Sequence, residues 1–280
     1  MNLLQQTLDL CKMYEIGPDK SKGQNFLIDE ETYDLVISSS ELSDKDTVLE
    51  VGPGLGILTF KLAKIVKKVL AVELDNKLAE VLNILKISKD VDNVKIFNND
   101  VLKIKGDNIS KLGPYKIVTN LPYNITSIFL RKFLTMANKP ELMVVLLQKE
   151  VVSRILSKEP KMSLLSISVQ FYADVEFVAD VPKEFFYPTP KVESAIIKIR
   201  PRKDKVFNNY QDEKKFFKLL KYGFGSKRKM LKNNLSAALS VEQKVVEEAL
   251  ASLSLDLKCR AEQLSIKNWL SLYDKLFAFL

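Results

Sequence analysis

The chain has no histidine. Imidazole is therefore unavailable as a general base, which excludes Ser/His/Asp and Cys/His catalysis. Nearly all zinc sites go with it. Cysteine is scarce too: Cys11 and Cys259 are the two, far apart and without Cys-x-x-Cys spacing. A disulfide framework and a thiolate metal site are both unexpected. No apolar run reaches the ~20 residues of a membrane span. Residues 1–14 are too polar for a secretory signal. Internal repeats and low-complexity tracts are missing. These absences point to a cytoplasmic protein with no membrane and no metal partner, whose chemistry needs neither metal nor imidazole.

What is present begins with size. The 280 residues, 46% of them hydrophobic, can fill one large domain or a medium domain with a small one. The formal charge of +8 is uneven. Between Lys198 and Lys232, 13 Lys and Arg stand against 3 Asp and Glu, a net of +10, so the remainder carries −2. A localised basic stretch suggests a polyanion partner. A solvated linker with ordinary surface lysines would give the same count.

Thr47-Val48-Leu49-Glu50-Val51 reads as a buried strand. It runs into Gly52-Pro53-Gly54-Leu55-Gly56 and then a helix over residues 57–66. Strand, glycine turn and helix make the first half of a nucleotide-binding βαβ unit. Gly52 and Gly54 permit close approach of the backbone to a ligand. The next strand, residues 69–73, ends in Glu73, 21 residues after Gly52. That offset suits a carboxylate on both ribose hydroxyls. The loop spacing is G-x-G-x-G rather than the G-x-G-x-x-G of dinucleotide folds, and Glu50 stands just before it. A carboxylate there suits an ammonium or sulfonium better than a pyrophosphate. S-adenosylmethionine is the cofactor this favours, although an ordinary βα turn has the same outline.

The chain is organised around Asn120-Leu121-Pro122-Tyr123. Residues 115–119 before it read as a short buried strand and residues 125–134 after it as a helix. The tetrapeptide thus sits at the carboxyl end of a strand, where open α/β sheets hold ligands. Pro122 lacks an N–H and pushes Leu121 into an extended conformation. The Leu121 carbonyl is then released from the sheet ladder. Asn120 adds an amide oxygen and Tyr123 an aromatic face. Two acceptors and a stacking plate suit an exocyclic amino group on a planar base. Read alone, the segment is equally a strand-to-helix turn with a structural proline.

Asn-Leu-Pro-Tyr resembles the [Asn/Asp]-Pro-Pro-[Tyr/Phe] motif of amino-directed nucleic-acid methyltransferases. Followed by Asn124-Ile125, its leucine form is similar to that of the ribosomal RNA small-subunit adenine N6,N6-dimethyltransferases, with the Erm-type resistance methylases as cousins. Gln24-Asn25-Phe26-Leu27, the run Leu147–Val152, the pattern Phe-x-Pro-x-Pro-x-Val-x-Ser-Ala from Phe186 to Ala195, and Arg260–Ser265 match the same family in order. The resemblance spans Gly23 to about Ser265.

It implies an α/β, Rossmann-like S-adenosylmethionine-dependent methyltransferase fold over residues 1–202. A small all-α, basic, RNA-binding domain over 203–280 is expected to follow. Implied cofactor contacts are Asn25, Leu27, Gly52, Glu73, Asp100 and Asn120, Asp100 facing the adenine amino group. A helix N-cap is the competing role for Asp100. Implied catalytic residues are Asn120, Leu121, Tyr123 and Phe186, the last a second stacking face opposite Tyr123. The implied reaction dimethylates N6 of two adjacent adenines in the 3′-terminal hairpin loop of 16S ribosomal RNA, during small-subunit biogenesis. The implied partner is that RNA or the assembling 30S particle, and a monomer is expected.

Two places depart from the family. Met162-Ser163 stand where Tyr-Gly is usual, and Ser226 replaces a Gln before Lys-Arg-Lys; Ser226 is expected to cap a helix there. Residues 168–175 and 194–200 read as the last two strands. An Erm-type 23S ribosomal RNA methylase shares this architecture and stays open. So does a non-catalytic RNA-binding assembly factor on the same fold. A DNA adenine methyltransferase would more often carry Asp-Pro-Pro-Tyr.

Overall fold

The structure is a computed structural model and describes residues 2–18, 24–104, 109 and 112–280. Gly23, where the family resemblance begins, lies outside them. Strands form where Val, Ile and Leu cluster. They are β1 (Phe26–Leu27), β2 (Thr47–Val51), β3 (Lys68–Glu73), β4 (Val94–Asn98), β5 (Lys116–Asn120), β6 (Leu142–Gln148), β7 (Ala173–Val181), β8 (Phe186–Tyr187) and β9 (Ser194–Pro201). Helices of the first two-thirds are α1 (Leu3–Met13), α2 (Glu30–Ser39), α3 (Ile57–Ala63), α4 (Asn76–Ser88), α5 (Thr126–Thr135) and α6 (Lys149–Ile155). Then come α7 (Leu164–Gln170), α8 (Tyr210–Gly223), α9 (Leu231–Leu239), α10 (Gln243–Ser252) and α11 (Ile266–Leu276).

The chain divides into two compact units, residues 1–152 with 172–201, and residues 153–171 with 202–280. Residues 153–171, read from the sequence as part of 1–202, therefore cluster with the C-terminal helices.

The first unit is built on a seven-stranded sheet of order β4-β3-β2-β5-β6-β9-β7. The strands from β4 to β6 run parallel, whereas β9 is antiparallel to both its neighbours. Residues 142–147 are buried without alternation, as expected of a strand covered on both faces. Winding reverses between β2 and β5, which makes a switch point and a crevice beyond the carboxyl ends. There the two strands pair only at Val48↔Lys116 and Leu49↔Ile117. Beyond that register the Thr119 side chain replaces the ladder. Its hydroxyl donates to the Val51 carbonyl at 2.5 Å and accepts from the Val51 N–H at 3.3 Å. The strand ends are thereby held while their backbones diverge around a cavity.

Two expectations are corrected. Residues 168–172 are not strand. Ser163 and Ser166 form a reciprocal capping box, Ser163 N to Ser166 Oγ at 2.7 Å and Ser166 N to Ser163 Oγ at 3.1 Å. That box starts α7 at Leu164, and the helix consumes the apolar run through Gln170 before β7 begins at Ala173. Ser226 caps nothing, because residues 226–229 form a turn and α9 starts at Leu231 behind Met230.

The second unit packs its helices on an aromatic core. Phe171 stacks on Phe216 at 5.2 Å, and Phe217 meets Phe216 edge-on at 5.5 Å. Gly223 is required there, since a Cβ would lie 2.3 Å from the Trp269 ring. The Asn234 amide donates to the carbonyls of Gly223 and Ser226 at 2.8 and 2.9 Å. It fixes the turn on which Lys227, Arg228 and Lys229 stand exposed.

Candidate active site and cofactor cavity

A cavity of about 260 Å³ opens at the switch point of the first unit. Asn25, Leu27, Gly52, Glu73, Asp100 and Asn120 all line it, as do Leu121 and Tyr123. Six chain segments, from the loop before β1 to the turn after β5, thus converge on one space.

Its floor is acidic. Glu50, on β2, is buried, and its Oε2 has no partner among the described residues. Burial pushes its pKa up to about 8; the nearby Thr59 hydroxyl works against this and the charge of Glu73 adds to it. Glu73, at the end of β3, is raised by burial as well, opposed by backbone amides. Those amides fix its carboxylate: Asp75 N–H donates to Oε1 at 2.9 Å and Gly54 N–H to Oε2 at 3.1 Å. Each oxygen takes one such bond and keeps acceptor capacity for a ligand.

Asp100 follows β4. Its Oδ1 accepts from Leu102 N–H at 2.8 Å and caps a short 3₁₀ turn, Val101–Lys103. The capping role weighed from the sequence is therefore present, and the same residue lines the cavity.

The tetrapeptide forms the rim opposite. Leu121 N–H still donates to Leu146 O at 3.2 Å, one step beyond β5. Pro122 then ends the ladder, and a 3₁₀ turn over Tyr123–Ile125 leads into α5. The Asn120 amide nitrogen donates to the Asn25 carbonyl at 3.5 Å, which turns its oxygen the other way. The Tyr123 hydroxyl is 2.7 Å from Ser194 Oγ on β9, so the ring is fixed at both ends. Gly52 has φ +66°, and a Cβ there would stand 3.1 Å from the Pro122 ring. The glycine loop and the tetrapeptide are in contact.

The sequence model of the family "Ribosomal RNA adenine dimethylase" matches residues 19–277. The chain belongs to this family. It is 40% identical over 271 residues to "Ribosomal RNA small subunit methyltransferase A" of Dehalococcoides mccartyi, covering 96% of this chain and 91% of that one. It is 37% identical to the protein of the same name from Clostridioides difficile, covering 94% and 92%. A dimethyladenosine transferase from Plasmodium falciparum shares the fold, with TM-score 0.76 at 24% identity over 90% of this chain and 97% of that one. The 23S rRNA methyltransferase ErmE aligns with TM-score 0.72 at 26% identity over 90% and 100%.

One predicted site residue of this dimethylase is placed elsewhere. Phe186 is 1% exposed and sits in the core with Leu27, Tyr33 and Val36. It does not line the cavity. The reason is the β1–β8 bridge, which pairs Leu27 with Phe186 and Phe26 with Tyr187. Pairing across the bridge sends Phe186 inward and leaves Tyr187 half-buried. Two residues that position the site are new. Thr119 carried a signal only in preceding the motif, and Ser194 in belonging to the Phe-x-Pro-x-Pro pattern; neither position announces its hydrogen bond.

The basic segment is also less uniform than its charge count. In the first unit, Lys198 and Arg200 pair with Glu41 at 2.6 and 2.8 Å and draw that carboxyl down to about 2. In the second, Lys232 pairs with Glu247 at 2.7 Å. No helix among the described residues is long and apolar enough to cross a membrane, and no cluster of metal-ligand type occurs among them.

Proposed function

We propose that the chain dimethylates N6 of two adjacent adenines in the 3′-terminal hairpin loop of small-subunit ribosomal RNA, with S-adenosylmethionine as methyl donor. The observation that carries this reading is that Asn120 and Leu121, each with an oxygen able to accept, line one cavity together with Glu50 and Glu73. The cavity fits the cofactor chemically. The unpartnered Glu50 oxygen would meet a cationic end, the Glu73 carboxylate a ribose diol, and Asp100 an adenine amino group. The cofactor supplies an electrophilic methyl group on a sulfonium.

The chain's own residues do the rest. Hydrogen bonds from N6–H to the Asn120 oxygen and the Leu121 carbonyl favour a pyramidal nitrogen with a localised lone pair. These bonds strengthen toward the transition state. Alignment then supplies much of the acceleration, and no imidazole is needed. The target base must leave its stack, and the Tyr123 face offsets part of that cost of a few kcal/mol. Lys227, Arg228 and Lys229 hold RNA phosphates. The protein works as a monomer in the cytoplasm on an assembling 30S particle.

The test is methylation of small-subunit particles that lack the modification, mapped by nucleoside mass spectrometry. N6,N6-dimethyladenosine in the 3′ hairpin is expected, and Asn120→Ala should slow single turnover by roughly 10²-fold. Product on 23S ribosomal RNA alone would make the chain a resistance-type methylase. No product on either RNA would make it a non-catalytic assembly factor.

A further inference from the structure

Lys132 lies on α5, the helix that the tetrapeptide opens. Its ammonium donates to the carbonyls of Val101 at 3.0 Å, Leu102 at 2.7 Å and Ile104 at 2.6 Å. An ammonium has three N–H groups, so all of them are committed to one stretch of backbone. The site is part-buried, and burial draws the lysine pKa down while the charge of Asp100 opposes this. An exposed lysine would keep its ammonium in water.

That stretch is the 3₁₀ turn following Asp100. It is gripped from two sides. The Asp100 carboxylate caps its N–H side through Leu102, at 2.8 Å. Lys132 gathers its carbonyl side. Asp100 and Val101 both line the cavity, while Lys132 is not among its lining residues.

We propose that Lys132 is a positioning residue for recognition of the cofactor's adenine: by collecting the three carbonyls it fixes the turn that aims Asp100 and the Val101 backbone into the cavity. This rests on Asp100 as the adenine contact. Without the ammonium, three part-buried carbonyls seek other donors, and the turn carrying Asp100 relaxes. Because Lys132 rides on the helix begun by the target motif, it also braces the adenine side of the cavity against the acceptor side.

The experiment is calorimetric titration of the full chain with S-adenosylhomocysteine and with S-inosylhomocysteine, in which oxygen replaces the adenine amino group. The wild type should prefer the adenosyl ligand. Lys132→Met should weaken that ligand by roughly tenfold, about one well-placed hydrogen bond, and leave the inosyl ligand near its wild-type affinity, so that the preference collapses. Lys132→Arg keeps the charge and several donors and should retain most of the preference. Should Lys132→Met fail to fold, Lys132→Gln, with two N–H donors, undergoes the same measurement. A folded variant that weakens both ligands equally, or neither, overturns the proposal, since a purely structural lysine leaves the ratio unchanged. A wild type that binds both ligands alike overturns the adenine role of Asp100 and this inference with it. A wild type that binds neither overturns the reading of the cavity itself.

Discussion

A carboxyl group at the floor of a cavity can be satisfied by a proton or by a cation. Glu50 meets this choice with one oxygen unpartnered and its pKa pushed up to about 8, chiefly by burial. Thr59, Glu73 and Tyr33 are its polar neighbours. The unfolded group titrates near ~4.3. Between that value and about 8 the native chain keeps a proton that the unfolded chain has lost. Stability contributed by this group is therefore full below the unfolded value, falls as pH rises through the window, and levels above it. Thermal melts of Glu50→Gln should lack this component of the decline, and a variant with the wild-type slope would show that Glu50 titrates normally. The two aromatics of the motifs should separate just as clearly. Phe186→Ala opens a core cavity and should cost about 3–5 kcal/mol of stability. Tyr123→Ala strips the buried Ser194 hydroxyl of its partner and should cost less, about 1–3 kcal/mol, while weakening target-base stacking by ~1–3 kcal/mol. Denaturation together with fluorescence of a 2-aminopurine target checks both. That Asn120, Glu73 and Asp100 line the cavity was legible, because each stands at or just past the carboxyl end of a strand in a local pattern. Phe186 was not, because its burial depends on a bridge to Leu27, far away in sequence.

At the level of elements, the parallel strands were readable from runs of Val, Ile and Leu, and their ends from the Gly, Asn and Asp that follow. The misreading of residues 168–172 has a physical cause. Ser-Val-Gln-Phe alternates like a strand, yet the Ser163–Ser166 box upstream caps a helix that runs through Gln170. Short apolar runs are decided by their caps as much as by their period. The basic turn is another such element. Lys227, Arg228 and Lys229 are exposed on a loop clamped by Asn234, whereas Lys232 is engaged with Glu247. Replacing the three exposed residues by Gln should lower RNA affinity and reduce the slope of log K against log salt by ~0.7–0.9 per lost phosphate contact. Filter binding across a salt series gives the slope. If it does not move, those side chains only face water. Lys232→Gln should affect the slope little and the helix pair more.

For the molecule as a whole, ligand and fold are linked. A cofactor at about one hundred times its Kd adds about 2.7 kcal/mol to the stability of the unit that binds it. Glu73→Ala removes charged hydrogen bonds worth about 1.5–3 kcal/mol. At the same cofactor concentration the ligand-induced rise in Tm should then fall to less than about half. Differential scanning fluorimetry with and without S-adenosylmethionine measures it, and an undiminished rise would remove Glu73 from the cofactor site. The division into two units was only partly visible in the sequence. The basic stretch from Lys198 hints at a second unit and the family resemblance implies a boundary at 202, but nothing local shows that 153–171 group with the C-terminal helices, because that grouping is made by contacts distant in sequence.

The contact between Gly52 and the Pro122 ring bears on engineering. With 3.1 Å between a would-be Cβ and that ring, the two loops are cut to each other like key and ward. A chimaera that imports one loop from a distant methyltransferase inherits a mismatch at this point, whatever the merits of the donor sequence. Transplants should succeed when residues 50–56 and 119–125 travel together, and directed-evolution libraries that diversify one segment should recover compensating changes in the other.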